Sequence, residues 1–228
     1  MGGGERLQAT GYGLRAERAG GLRLYAIIKG RPREGLGKLE IVRAGGASVV
    51  VGRGGVVEAT AAAVKAHDRV VRRIQREVDA VLPFRFGSVV ADAAALRRML
   101  EPVTAAVRTA LELVDGCMQY TLRVYGDAAA VETPKTGAGP GTQWLGVRLR
   151  ARRVPEIAAI TEATADYVRA AKAERHDRPP LVASVYHLVP NTEARAYRAA
   201  VTRASKTLGR VTVKTSGPFA PYAFAELV

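Results

Sequence analysis

The feature that most restricts the fold is a change of hydrophobic period, made twice, on either side of a glycine- and proline-bearing stretch at 126–143. Leu22-Arg23-Leu24-Tyr25-Ala26-Ile27-Ile28 begins by alternating and becomes wholly apolar, as a strand does on entering the middle of a covered sheet. Leu39–Arg43 and Ala47–Val51 are short β-branched runs separated by Gly45-Gly46, which predicts a hairpin. From Thr60 the period lengthens. Val64, His67, Val71, Ile74, Val78 and Val81 recur at three and four residues, predicting an amphipathic helix capped by Thr60. The segment Val81–Gly87 breaks that helix, Asp92 caps a second helical region reaching about Val114, and Pro102 kinks or splits it. Cys117–Tyr125, aromatic and β-branched, reads as the strand that completes the first unit.

Beyond the break, Pro155 opens a helix with Ile157, Ile160, Ala163 or Thr164, Tyr167 and Val168 along one face. Leu181–Val189 is an apolar strand, Asn191 or Thr192 caps a helix to about Leu208, and Arg210–Thr215 alternates as a strand. The expectation is an α+β protein of two small α/β domains. Residues 1–21 form a leader, 22–126 an N-terminal α/β domain, 127–145 a linker or loop, and 146–228 a C-terminal α+β domain of ferredoxin-like type.

Of the 228 residues 48% are apolar and 25% charged, enough for a sizeable core and unlike a disordered chain. No apolar run approaches the roughly 20 residues of a membrane helix, and Met1–Leu7 lacks the apolar core of a secretory signal, so a cytoplasmic protein is expected. The single cysteine, Cys117, rules out an internal disulfide and a cysteine-rich zinc site. A net charge of +14 favours anionic partners, but residues 1–126 carry 20 basic and 12 acidic groups and 127–228 carry 15 and 9, so no basic arm stands apart.

No catalytic, metal or cofactor set emerges. His67 lies on the apolar helix stripe, where a neutral imidazole packs its ring and hydrogen-bonds backbone, and Asp68 points about 100° away from it. His187 alternates with Val185 and Val189 on a strand, and His176 sits in a polar turn without metal-ligand spacing to the others. Gly137-Ala138-Gly139-Pro140-Gly141 lacks the Lys-Ser or Lys-Thr of a phosphate loop. No strand shows the aromatic pattern with which a ferredoxin-like sheet reads RNA.

Several phrases coincide, in order, with one family. Leu24–Ile28, Ala66-His67-Asp68-Arg69-Val70, Val81–Val89 with its Pro83, Arg85, Phe86 and Gly87, and Ser216–Phe224 with its Gly217 and Pro218 resemble the gas vesicle protein F/L family. Gly139-Pro140-Gly141-Thr142-Gln143-Trp144-Leu145 looks like the family's central glycine-aromatic-leucine motif, and Val185–Pro190 like its later strand. The resemblance covers roughly residues 22–228. It implies a two-domain α/β accessory protein without a known reaction or cofactor. Such a protein helps build gas vesicles in association with them, its partners being the small hydrophobic major shell protein and other accessory vesicle proteins. Within that reading the contact candidates are Trp144, the stripe Arg148, Arg150, Arg152 and Arg153, and the proline-held aromatics Phe219 and Tyr222. A basic nucleic-acid-binding module, or a homologue put to another use, are the alternatives.

Overall fold

The computed structural model describes residues 20–126 and 154–226. Their backbone forms two antiparallel sheets with helices, and no helix among the described residues is long and apolar enough to cross a membrane.

The first sheet starts with β1 (Leu22–Lys29), β2 (Glu40–Ala44) and β3 (Ala47–Arg53), the last two joined by the Gly45-Gly46 turn. Both turn glycines have positive φ, +54° and +72°, as a two-residue hairpin turn matching strand twist requires. α1 (Ala61–Glu77) follows, its N-cap Thr60 accepting from Ala63 N–H at 3.1 Å. The helix stops at Glu77, short of the expected Val81. Val78 and Val81 therefore leave the helical stripe, and β4 (Ala80–Pro83) forms where the sequence suggested only a helix break. The two-residue β5 (Val89–Val90) pairs with the start of β1. α2 (Ala93–Leu100), capped by Asp92, is separated from α3 (Thr104–Val114) by a 3₁₀ turn at Pro102. The strand order is β2-β3-β1-β4, with Val71 and Ile74 of α1 buried on one face and Leu96, Leu100, Val107 and Leu111 of α2 and α3 on the other. Each such fully buried aliphatic side chain contributes about 1.5–3 kcal/mol of transfer free energy.

The second sheet contains β6 (Cys117–Gly126), β7 (Ala170–Arg175), β8 (Leu181–Pro190) and β9 (Val211–Phe219) in the order β7-β8-β6-β9, antiparallel throughout. α4 (Ala158–Thr164), flanked by 3₁₀ turns, and α5 (Ala194–Ser205) cover one face around Tyr120, Leu122, Ile160, Val182, Tyr197 and Val201. The order is that of a ferredoxin-like βαββαβ unit whose first strand is β6. This differs from the expected assignment of Cys117–Tyr125 to the N-terminal unit: β6 lies in the interior of the second sheet, between β8 and β9. The physical reason is its burial pattern. Tyr120, Leu122 and Val124 face α4 and α5, while Cys117 on the other face joins the core of the first unit. The two units share that core, since Leu188 of β8 also enters it. The expected 127–145 linker falls outside the described residues.

Candidate functional site

Four of the recurring phrases, distant in sequence, meet around α1. β1 and β3 lose register between Leu24 and Ala26, so Tyr25 occupies a bulge that re-aims its ring. Gly52 leaves room for it: a Cβ there would stand 3.1 Å from the Tyr25 ring. That ring stacks on the His67 imidazole, with centroids 5.1 Å apart and planes inclined by 23°, and Phe86 meets the opposite flank edge-on at 5.8 Å. His67 Nε2 lies 3.1 Å from the Phe84 carbonyl and donates to it, which fixes the tautomer. Burial lowers the His67 pKa, with the Phe84 hydrogen bond and the Asp68 carboxylate opposing. Phe84 itself is core, and the Arg85–Ser88 turn is closed by Ser88 N–H to the Arg85 carbonyl at 3.2 Å, with Gly87 at φ +86°. Pro83 ends β4 opposite Ala26. Arg85 projects exposed from this turn. A small, mainly apolar hollow of about 140 Å³ remains between Arg23, Val57, Ala63, His67 and Phe86.

The C-terminal phrase closes on the same helix. Arg72, paired with Asp68 at 2.7 Å, places its guanidinium 5.3 Å from the centroid of the Phe219 ring. Tyr222 packs beside α1, and its phenol is held above the usual value by burial first, with Asp68 adding and Arg72 opposing. Ala220 is buried in the α1 core, whereas Phe224 and Ala225 enter the core on the other face, so the chain end wraps the edge strand β4. Gln119 of β6, buried, accepts from Ala223 N–H at 2.8 Å and donates to Thr121 Oγ1 at 3.3 Å. Gly217, at φ +127°, passes against the Gln119 carbonyl, and Pro218 follows it. Phe219 and Tyr222 are thus engaged within the chain and tie its two units together. Trp144, Arg148, Arg150, Arg152, Arg153, Gly139 and Gly141 lie outside the described residues.

The remaining polar candidates are dispersed. His187 is buried, with Nδ1 3.0 Å from the Tyr197 hydroxyl, and burial pulls its pKa down to about 4. His176 pairs with Ser184 at 2.9 Å. Cys117 is buried, and burial pushes its thiol pKa up, with Arg169 opposing and Asp115 adding. Among the described residues no three His, Cys, Asp or Glu side chains are grouped to hold a metal. The side chains that converge form a packed histidine-aromatic cluster, an arrangement that fixes shape and supplies no nucleophile-base pair. Sequence reasoning missed Tyr25 as its stacking partner, because a one-residue bulge leaves no mark in the alternation.

The chain is 29% identical over 187 residues to gas vesicle protein L of Streptomyces sp. (strain CB03234), covering 72% of this chain and 69% of that one. It shares the fold of the gas vesicle protein GvpF crystal structure from Anabaena sp. PCC7120, with a TM-score of 0.68 at 17% identity over 91% of this chain and 97% of that one. It also shares the fold of GvpF from Microcystis aeruginosa, with a TM-score of 0.69 at 16% identity over 90% and 99% of the two chains. The model of the family described as gas vesicle synthesis protein GvpL/GvpF matches residues 21–226, and the chain belongs to that family.

Proposed function

We propose that this protein is an accessory factor that helps nucleate and assemble the gas vesicle shell through protein-protein contacts, holding hydrophobic shell subunits competent to polymerise. Membership of the family supports a gas vesicle role, and the match over residues 21–226 is the observation that carries the reading. The contacts we assign are those of the resemblance: the major shell protein and other accessory vesicle proteins. The segment around Trp144, with Arg148, Arg150, Arg152 and Arg153 after it, combines an aromatic anchor with arginines, the residue types that most often carry interface energy.

Two measurements test this. Deleting the gene from a vesicle-producing host should abolish or sharply reduce pressure-collapsible turbidity, and a plasmid copy should restore it; undiminished vesicles in the deletion would overturn the reading. By calorimetry or surface plasmon resonance, Trp144→Ala should weaken binding to the major shell protein more than Arg152→Ala, whose effect should fall on the association rate read by plasmon resonance and on salt sensitivity. Unchanged binding in a folded Trp144→Ala variant removes that segment from the interface. The charge of +14 favours one second reading, a nucleic-acid-binding module. That reading requires affinity for DNA or RNA that falls steeply with salt.

A further inference from the structure

A cleft of about 890 Å³ opens at the end of the first sheet, where the β1–β2 connection, the tip of the β2–β3 hairpin and α3 meet. Its floor is apolar and is built at the sheet end from both faces: Ala47, Val107 and Leu111 from the α2–α3 side and Ile28 from the α1 side, all buried, with Ile41 of the edge strand β2 44% exposed at its margin. Its rim is cationic. Lys29, Arg31, Arg43 and Arg108 line it against one carboxylate, Glu112.

The rim charges differ in how they are satisfied. Lys29 is held by Asp115 at 2.6 Å. Arg31, Arg43 and Arg108 have no carboxylate within salt-bridge distance among the described residues, as is true of most of the described arginines in this chain of net charge +14; what sets these three apart is that they line one cleft. Three guanidinium groups lining one cleft raise its positive potential, which an anionic partner relieves. Their fork geometry matches carboxylates bidentately.

The chemistry narrows the occupant. A free phosphate or other small anion makes no use of the floor. A single-stranded nucleic acid calls for exposed aromatic rings on which bases stack, and none of the described residues lining this cleft is aromatic. From this complementarity we infer that the cleft is a docking site for a segment of a partner protein that carries apolar side chains flanked by carboxylates. Leucine- or valine-sized groups enter the floor beside Ile41, and Asp or Glu side chains pair with Arg31, Arg43 and Arg108. The inference rests on the proposed assembly role and specifies the chemistry of one partner contact.

The probes are a short fluorescein-labelled peptide of leucines and glutamates, the same peptide with serines for leucines, and an oligothymidylate of similar length, each titrated into the full chain by fluorescence anisotropy. The leucine–glutamate peptide should bind, and Arg43→Glu with Arg108→Glu should weaken it about tenfold or more, as removal of paired interfacial charges does. Arg203→Glu with Lys206→Glu, an equal charge change at the exposed end of α5, should alter it by less than about twofold, the range expected of a remote, screened charge. Ile41→Ser should weaken the leucine peptide and leave the serine peptide unaffected. Equal losses from the two double variants, equal affinity for leucine and serine peptides, or tighter binding of the oligonucleotide would each overturn the proposal. Arg31→Glu, outside any strand or helix, supplies a second reading should the Arg43/Arg108 variant melt early. Absence of peptide binding, with vesicles lost on gene deletion, removes the cleft and leaves the assembly role standing. Vesicles surviving deletion remove that role whatever the peptides do.

Discussion

Replacing Gly217 with alanine tests how the chain end is held. The glycine sits at φ +127°, beyond the left-handed helical well that L-residues tolerate, and such a backbone costs a non-glycine residue roughly 1–3 kcal/mol. A Cβ there would also stand 2.8 Å from the Gln119 carbonyl oxygen, 3.1 Å from the Tyr120 ring and 3.3 Å from its Cα. Neither obstacle yields cheaply. Gln119 and Tyr120 belong to β6, which is hydrogen-bonded on both sides, to β8 and β9. Overpacking of this kind costs a further 1–3 kcal/mol or so, giving about 2–6 kcal/mol in all. Gly116 is the internal control, because its φ of +65° is also positive and its Cβ position is empty. Gly116→Ala should lose only the roughly 1–2 kcal/mol of the left-handed conformation.

Urea unfolding followed by circular dichroism gives both losses. Beyond its larger total, Gly217→Ala should expose the Phe219–Ala225 segment to limited proteolysis under native conditions, since Ala220, Phe224 and Ala225 owe their burial to the path this glycine sets. Equal destabilisation by the two substitutions, or a Gly217→Ala variant within about 1 kcal/mol of the parent, would refute the steric argument.

Two other outcomes follow from the histidines. His187 has its pKa lowered to about 4 from an ordinary 6.5, so the unfolded chain takes up this proton first; stability present above pH 6.5 is lost as pH falls toward 4, by up to about 3 kcal/mol. Replacing His187 and Tyr197 together by phenylalanine should flatten the stability-pH profile in that window, and an unchanged slope would show that other groups govern it. His67→Phe keeps a ring between Tyr25 and Phe86 but leaves the Phe84 carbonyl without its donor, at about 1–3 kcal/mol. His67→Ala should cost more by thermal melting, and equal losses would mean that the ring packing contributes nothing.

What was legible in the sequence was whatever short-range chemistry dictates. Thr60 and Asp92 cap the helices they were expected to cap, Gly45-Gly46 turns the hairpin, and Pro102 divides α2 from α3, because each effect is settled within four residues of its cause. β7 was missed for a related reason. Ala170-Ala171-Lys172-Ala173-Glu174-Arg175 has helix-forming composition, and it is a strand only because β8 hydrogen-bonds its whole length. β4 was concealed by its brevity and by the proline at its end, both of which the edge of a sheet tolerates.

The assignment of β6 shows where local reasoning stops. Its alternation specified a strand with two apolar faces, and nothing in the alternation says which sheet it joins. The choice is made by closure of the ferredoxin-like unit, in which β8 and β9 need a strand between them, and by the helix-coated core that Tyr120, Leu122 and Val124 enter. One consequence reaches the chain end. Because β6 sits inside the second sheet while Cys117 enters the first core, Gln119 is carried to the seam between the units, where it accepts from Ala223 N–H and holds the final turn against β4. Phe219 and Tyr222, contact candidates under the family resemblance, lie against Arg72 and beside α1 respectively. The segment packs across the two units within the chain, and the partner contact we propose lies elsewhere, at the cleft at the far end of the first sheet.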